Sequence, residues 1–359
     1  MIIMFEIGST PLFELGSKAK QDSWLAILVA MVAGILVLSM FLYIQSQEPD
    51  KNLVQILIHY FGKWLGRSFA VLYILYFAYE SMRNVRDIGD IINITILPNT
   101  PISVIMFAMM FASTYAVFQG IEVFSRTTII IIIFVIFSYI LLILMFFSSG
   151  DVHFERLQPM LENGWIPVLE AAFPAILSFP FGQMVVFLMF WNYLSDKQVM
   201  VKLSFWSYLF VGVLLVFMNI MNIAVLGTNI ADRDTLPLLN AVQLISVADF
   251  LERFDPFVTF LLFYGVFIKM TTFYFGAVLG SSQLFHMRHT KVILPIGAAI
   301  YAASFLEPNW AYHVWLGIEI SVKYIFPFFQ LVIPIGLFFV MVVKKGSVLK
   351  RLFRKVRSN

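Results

Sequence analysis

The chain has 359 residues, of which 60% are hydrophobic and 13% are charged, and its formal net charge is +3. A soluble domain carries about 25% charged residues, so this composition excludes an ordinary soluble protein and indicates a polytopic membrane protein. Cysteine is absent from the sequence, which excludes disulfides, thiolate nucleophiles and cysteine-ligated metals. We also expect no cleavable signal peptide, because the chain opens on apolar residues without a basic leader.

Apolar runs of about 18 or more residues predict membrane-spanning helices. The sequence predicts ten, numbered spans 1 to 10, at about 1–17, 23–44, 68–96, 101–118, 127–147, 166–194, 199–227, 256–284, 291–306 and 322–343. Residues 308–321 form either a separate interfacial helix or part of span 10. The spans make a single all-α transmembrane domain over residues 1–343, and residues 344–359 form a basic cytoplasmic tail.

Spans 1 and 6 carry similar interruptions, EIGSTP over residues 6–11 and SFPFGQ over residues 178–183. Glycine and proline break helical hydrogen bonds, and hydrocarbon tolerates such a break only where it lines a polar cavity. A matched pair of breaks in corresponding halves indicates the binding site of a secondary transporter. The alternative is that Pro11 and Pro180 only kink two ordinary helices.

The matched breaks divide the chain into two five-span repeats, at about 1–147 and about 166–343. Because five is an odd number, the second repeat enters the membrane from the opposite side to the first. This predicts an inverted-topology repeat whose binding site lies near the membrane midplane between the halves.

Lysine and arginine predict the orientation. With the N-terminus inside, fifteen of the 24 cationic residues fall on the inner side, five on the outer side and four within spans. This asymmetry follows the positive-inside rule and predicts that both termini are cytoplasmic.

Two segments outside the spans also have amphipathic character. Residues 236–254 carry apolar residues at helical spacing, and they form either a helix that caps an outer vestibule or an ordinary interfacial helix. The basic C-terminal tail indicates an anchor on anionic lipid, with a protein partner as the alternative.

Span 3 is unusually charged, with Glu80, Arg83, Arg86, Asp87 and Asp90. The i,i+3 and i,i+4 spacings predict the pairs Glu80–Arg83, Arg83–Asp87 and Arg86–Asp90. One interpretation is a self-compensated ladder that faces the bundle interior. The other is functional, since charges inside spans are costly: Glu80 would bind a ligand ammonium, and Arg83 a carboxylate.

Lys269 lies near the middle of span 8, and a buried ammonium needs a counter-charge or carbonyl oxygens. In an inverted repeat, span 8 packs beside the interruption of span 1. The ammonium would then be bound by carbonyls around Gly8, where ion-coupled transporters hold sodium. The alternative is an ion pair with Glu6, Glu14 or a span 3 carboxylate.

The remaining titratable residues predict no further site. The five histidines are scattered, so metal binding is not expected, and no nucleophile–base pair or phosphate-binding loop indicates an enzyme. Glu319 and Lys323 have the spacing of a local i,i+4 ion pair.

The opening run IMFEIGST (residues 3–10), the span 3 run YESMRNVRDIGD (79–90), the Phe-Pro break and the basic tail resemble one family over nearly the whole chain. This family is the B subunits of spore germinant receptors (the GerAB/GerKB family), within the amino acid–polyamine–organocation superfamily. The resemblance implies a LeuT-like 5+5 inverted repeat with broken helices 1 and 6. It also implies a sensor of a small nutrient, usually an amino acid, in the inner membrane of a dormant bacterial spore.

The resemblance further implies an A-type membrane subunit and a C-type lipoprotein as partners, and it implies neither a cofactor nor a nucleic acid. The ligand would lie between spans 1, 3, 6 and 8, with its carboxylate at the backbone amides of residues 8–10. The predicted ligand-binding residues are Gly8, Ser9, Thr10, Glu80, Ser178, Phe179, Phe181, Gln183, Thr271 and Thr272, of which Glu80 comes from the span 3 charges and the others from the resemblance. The residues that would couple, or replace a coupling ion, are Lys269, Arg83 and Asp87.

Two functional hypotheses use this site. The first is a non-enzymatic germinant-recognition subunit, and the second is a proton-coupled amino-acid permease with Lys269, Glu80 or Asp87 as proton carrier. One departure concerns span 1, because only seven residues precede Gly8. A half-helix that reaches mid-membrane needs about 10–12 residues, so we expect either an upstream start or a truncated span.

Overall fold

The computed structural model describes residues 1–150, 152–194, 196–228, 237–244 and 255–344, and the regular elements within these residues are all helical. Within this described part of the chain, six helical segments are long and apolar enough to cross a membrane: Ser17–Gln47, Ile102–Ser149, Trp165–Met189, Gln198–Leu226, Val258–Leu284 and Trp310–Lys344. Large apolar side chains such as Leu36 and Ile130 are more than 70% exposed on the outside of the bundle. The chain is therefore an all-helical integral membrane protein.

The first half begins with a short helix and a tight connection. Its helices are α1 (Ile2–Ile7), α2 (Ser23–Gln47), α3 (Leu53–Phe61), α4 (Lys63–Thr95) and α5 (Ile102–Ser149), with 3₁₀ turns at Thr10–Leu12 and Ser17–Asp22 before α2. Gly120, with φ +88°, interrupts α5. This break lies between predicted spans 4 and 5.

Among its described residues, the second half contains six α-helices with irregular turns. They are α6 (Trp165–Ala171), α7 (Lys197–Leu226), α8 (Pro237–Leu244), α9 (Asp255–Leu284), α10 (His289–Ala303) and α11 (Trp310–Leu316). Wider π turns extend α6 through Ala172–Ile176, and a 3₁₀ segment follows at Phe181–Met189. Helix α11 continues through π turns to Lys344. The prediction of a separate interfacial helix at 308–321 is therefore wrong, since one continuous helical segment runs from Trp310 to Lys344.

The remaining predicted spans differ from simple spanning helices. Helix α1 has six residues, α10 has fifteen, and the 33 residues of α4 include the charged run. Of the predicted outer helix, only residues 237–244 are described, and they are helical. Residues 245–254 and the basic tail beyond Lys344 lie outside the described residues.

Helices α4 and α9 form the centre of the bundle, since they share the most extensive helix–helix contact among the described elements. Helix α1 and the 3₁₀ segment after α6 pack beside them. The Phe5 ring joins these parts, with ring centroids 5.1 Å from Phe187 and 5.0 Å from Phe273. The two interrupted segments are thereby placed side by side.

A second close contact joins α2 to α7. The Tyr208 hydroxyl on α7 donates a 2.7 Å hydrogen bond to the Met31 carbonyl on α2. This bond requires Gly34, because a Cβ there would collide with the Tyr208 hydroxyl and would lie 3.2 Å from Phe181 Cβ. The absence of a side chain at Gly34 thus sets the distance between these two helices.

Gly34→Val is expected to destabilise the fold by about 1–3 kcal/mol, because the added side chain overpacks the contact and removes the tyrosine hydrogen bond. The measurement is the melting temperature of the detergent-purified protein. Gly336→Val is the matched control, since a Cβ at Gly336 meets nothing within 4 Å. Equal melting temperatures for the two variants would contradict the role of Gly34.

Candidate functional site

The first interruption begins where α1 ends. Gly8 adopts φ +34° and ψ −126°, which departs from helical geometry. The Gly8 amide donates to the Met4 carbonyl at 3.0 Å, and the Thr10 hydroxyl donates to the Glu6 carbonyl at 2.8 Å. The backbone therefore turns at Gly8, but the Gly8 amide is already bonded and does not face a ligand as a free donor.

The second interruption follows α6. The helical pattern widens into π turns, becomes non-helical at Phe173 and stops before the 3₁₀ segment that begins at Phe181. Helical geometry is therefore interrupted in both segments where glycine and proline predicted a break.

A cavity of about 180 Å³ lies where the two interruptions meet α4 and α11. It extends from the buried Ser9 to the exposed Lys18 and the partly exposed Lys323. Its walls include Ser9, Phe13, Glu80, Arg83, Asn84, Asp87, Glu170, Ile176, Phe179, Gln183, Val314, Gly317 and Phe326. The cavity therefore combines apolar walls with buried charges, and it opens at one end.

Part of the predicted site lines this cavity: Ser9, Glu80, Arg83, Asp87, Phe179 and Gln183. Glu80 and Gln183 are joined directly, because the Gln183 Nε2 donates to Glu80 Oε2 at 2.7 Å. This hydrogen bond connects α4 to the second interruption, so the two elements that the sequence placed at the site do meet.

The other predicted ligand-binding residues do not line the cavity. Phe181 packs against Tyr208, with ring centroids 5.1 Å apart. The Thr271 hydroxyl bonds to Phe267 and Ser113, and the Thr272 hydroxyl bonds to Ile268. Gly8, Thr10 and Ser178 are buried outside the cavity wall. Helix α9, which corresponds to predicted span 8, therefore packs next to the site but contributes none of its described residues to the cavity wall.

Lys269 is fully buried beside the first interruption, since a Cβ at Gly8 would collide with its side chain. Its ammonium lies 4.5 Å from the centroid of the Phe179 ring and 5.4 Å from that of Phe5. It forms no hydrogen bond and no ion pair with the described residues. Both predicted arrangements, carbonyl binding near Gly8 and an ion pair, are thus replaced by contacts with aromatic rings.

Gly265 was not predicted as a site residue. It lies one turn before Lys269 on α9, and a Cβ there would be 2.7 Å from the Gly8 carbonyl oxygen. The i,i+4 spacing puts Gly265 and Lys269 on one face of α9, and both contact Gly8. This spacing was visible in the sequence, but only the fold shows which backbone needs the glycine.

The span 3 charges pair differently from the prediction. Arg86–Asp90 is confirmed, with Nε and Oδ2 2.6 Å apart. Arg83 instead donates to Glu307 Oε1 at 3.0 Å and to the His313 carbonyl at 3.0 Å. The His313 ring lies between Asp87, at 2.7 Å, and Glu307. The predictions of Glu80–Arg83 and Arg83–Asp87 ion pairs are therefore wrong. Arg83 and Asp87 pair instead with Glu307 and His313, which lie just before and within α11.

Glu307 and His313 were not singled out, because their partners on α4, Arg83 and Asp87, lie more than 200 residues away. Glu307 precedes α11, and burial raises the pKa of its carboxyl. The His313 hydrogen bond and the Arg83 charge lower that pKa more strongly, so the net pKa is below its usual value. Among the described residues, no group of three or more histidine and carboxylate side chains is arranged to bind a metal.

These features define a class: a helical integral membrane protein with two interrupted segments beside a partly buried polar cavity. A family described as "Spore germination protein" matches residues 1–311 of the chain. The chain therefore belongs to the spore germination protein family, and the resemblance to its B subunits is confirmed.

Individual relatives agree with this assignment. The chain is 32% identical over 347 residues to spore germination protein KB of Bacillus subtilis (strain 168), which covers 96% of this chain and 93% of the relative. It is 26% identical to spore germination protein YndE of the same organism, over 81% of this chain and 79% of the relative. It is also 26% identical to spore germination protein B2 of that organism, over 86% and 85%.

Gly265→Ala is expected to destabilise the protein by about 1–3 kcal/mol, because the new methyl group meets a backbone oxygen that cannot rotate away. Gly276→Ala on the same helix is the control. A Cβ there meets only side chains, at 3.2 Å or more, which can adjust. Melting temperatures in detergent measure both variants. The expectation fails if Gly265→Ala is no less stable than Gly276→Ala.

Glu307→Gln is expected to destabilise the protein by about 2–4 kcal/mol at neutral pH, because Arg83 and His313 lose their buried counter-charge. The pKa of Glu307 is depressed in the folded state. Its contribution is therefore complete above the unfolded value of about 4.5 and is lost as the pH falls through the lower folded value.

The test is the melting temperature of both proteins as a function of pH. The difference between wild type and Glu307→Gln should shrink below about pH 4.5. Glu122→Gln is the control, since this residue forms an exposed pair with Arg126, and such pairs contribute at most about 1 kcal/mol. A pH-independent difference for Glu307→Gln would contradict the assignment.

Proposed function

We propose that the chain is the nutrient-recognition subunit of a spore germinant receptor. A small zwitterionic nutrient, an amino acid by class, binds in the cavity between the two interrupted segments. The observation that carries this proposal is the cavity itself, which combines buried charges with apolar walls at the meeting point of both breaks. Pockets for small ligands have this character: mostly apolar, with a few placed polar groups.

The proposal includes the LeuT-like arrangement of ten spans in a 5+5 inverted repeat. It is supported by the Gly120 break, which divides the long α5 into two parts, and by the interruptions at equivalent places in each half. In such repeats the site lies near the midplane between discontinuous helices. The ligand then lies between the first interruption, α4 and the second interruption, with α9 behind them.

Signalling is proposed to follow from a conformational equilibrium. A ligand shifts an equilibrium only by binding its two states with different affinity. The cavity wall supports such a difference, since it is shared by the first interruption, α4 and α11, which lie far apart in the chain. The partners that would read the change are an A-type membrane subunit and a C-type lipoprotein in the spore inner membrane. We propose no enzymatic step and no cofactor.

The orientation is proposed from the cation distribution, with both termini cytoplasmic and the cavity mouth at Lys18 on the outer side. Because the chain contains no cysteine, the labelling of a single introduced cysteine reports the orientation without background from native thiols. Lys18→Cys and Lys63→Cys introduce thiols at two exposed positions. A membrane-impermeant maleimide added to intact cells is expected to label Lys18→Cys but not Lys63→Cys. The reverse pattern would overturn the orientation.

Gly8→Val tests the first interruption. The valine side chain would collide with Lys269, and its backbone would be strained at φ +34°. The variant is expected to remain in the membrane but to lose ligand-induced thermal stabilisation across a panel of amino acids, sugars and nucleosides. Gly150→Val is the control, since it has φ +76° with no atom near its Cβ. A normal ligand response in Gly8→Val would remove the first interruption from the site.

A proton-coupled amino-acid permease is the second candidate. It is favoured by Glu6 and Lys269, two fully buried ionisable side chains whose charged atoms have no hydrogen-bond partner among the described residues. The Lys269 charge interacts with both Glu6 and Glu80. Proteoliposomes distinguish the functions: accumulation of labelled amino acid driven by a pH gradient indicates a permease, and saturable binding without uptake indicates a sensor.

A further inference from the structure

Three hydrogen-bond acceptors on the cavity wall have no donor. They are Glu80 Oε1, Asn84 Oδ1 and Gln183 Oε1, and none has a hydrogen-bond partner among the described residues. All three side chains line the cavity, and the residues are only 1–3% exposed. Because the large majority of buried polar side-chain atoms in proteins are hydrogen-bonded, three such atoms around one cavity require an explanation.

The orientation of these side chains is set by their other bonds. The Gln183 Nε2 donates to Glu80 Oε2 at 2.7 Å, and the Asn84 Nδ2 donates to the Glu80 carbonyl at 2.7 Å. Each amide nitrogen is therefore engaged, and each amide oxygen is the atom left over. Glu80 and Asn84 are also four residues apart, on the same face of α4. The atoms of this group that have no hydrogen-bond partner among the described residues are all acceptor oxygens.

Arg83, the neighbouring cation on α4, donates no hydrogen bond to these three acceptors. The Arg83 guanidinium is directed at Glu307 Oε1 and the His313 carbonyl, each 3.0 Å away. A ligand carboxylate would therefore have to compete with Glu307 for Arg83. The inner part of the cavity presents free acceptors and an engaged donor, so the two ends of a zwitterion are not recognised equally.

We propose that Glu80, Asn84 and Gln183 form a subsite for a primary ammonium group of the nutrient. An ammonium carries three N–H donors, which equals the number of free acceptors, and the Glu80 carboxylate makes one of the bonds charge-assisted. The proposal rests on the proposed nutrient-binding function and adds the group by which the nutrient is recognised. Asn84 becomes a specificity-determining residue, and Arg83 is a structural residue of the cavity wall.

The subsite predicts discrimination between an amine and a hydroxyl. A hydroxyl offers one donor, so an α-hydroxy acid leaves buried acceptors unpaired, and sites of this kind reject such analogues by a factor of about 100 or more. Removal of the carboxylate should cost less than removal of the amine, because Arg83, the cation beside the three acceptors, is already bonded to Glu307 and the His313 carbonyl, whereas Lys18 lies at the exposed end of the cavity.

The experiment measures dissociation constants by thermal shift and calorimetry on the purified full-length chain in nanodiscs. The probes are the standard amino acids, their α-hydroxy acid analogues and their decarboxylated primary amines. Amino acids that bind are expected to bind at least about 100-fold more tightly than their α-hydroxy analogues. The primary amines are expected to lie between the two.

Glu80→Gln and Asn84→Leu test the assignment to residues. Each is expected to weaken amine binding by about tenfold or more and to reduce the preference for amine over hydroxyl, because an acceptor is replaced by a donor or an apolar group. Glu122→Gln is the control, since Glu122 forms an exposed ion pair with Arg126 and does not line the cavity. Size-exclusion profiles and melting temperatures report whether each variant is folded.

The two proposals fail in different ways. If α-hydroxy acids bind as tightly as amino acids, or if both variants are folded and keep the full amine preference, the ammonium subsite is overturned and nutrient binding stands. If no amino acid binds the folded wild-type chain, the proposed nutrient function fails, and the subsite fails with it.

Discussion

The close contact between the Gly8 backbone and helix α9 is the constraint on which the rest of the structure depends. Gly265 lets the Gly8 carbonyl approach α9, and the Lys269 side chain fills the space one turn later. Together they hold the first interruption against the bundle centre. The second interruption then packs on the same core through Phe179, whose ring faces the Lys269 ammonium at 4.5 Å. A cavity can exist between the breaks because both are held in this way.

The charges of α4 have two separate roles. Arg83 pairs with Glu307 and Asp87 pairs with His313, and these contacts attach α4 to the start of α11. Buried ion pairs are weak sources of stability but costly to break, so they suit the positioning of one segment against another. The Glu80 side chain, in contrast, lines the cavity and accepts from Gln183, and its Oε1 has no hydrogen-bond partner among the described residues. One helix thus supplies both a fixed contact and a ligand-facing group.

Several site residues were predictable because their signal is local. Glycine and proline at residues 8–11 and 178–183 break a helix wherever it lies. The i,i+4 rule likewise found Arg86–Asp90 and Glu319–Lys323, and both pairs are present. The same rule failed for Arg83, because the competing partner Glu307 comes from 224 residues away. Local spacing lists the possible partners, and tertiary packing chooses among them.

The sequence by itself determined the membrane class, the positions of both interruptions and the family, since composition, helix breakers and similarity do not depend on distant contacts. Only the tertiary structure decided that Lys269 faces aromatic rings, that Gly265 accommodates Gly8, and that the Thr271 hydroxyl bonds to Ser113. It also decided that Asn84 shares a cavity with Glu80 and Gln183. The physical reason is that burial and hydrogen-bond partners are set by which faces of different helices meet, and helical spacing alone does not specify those pairings.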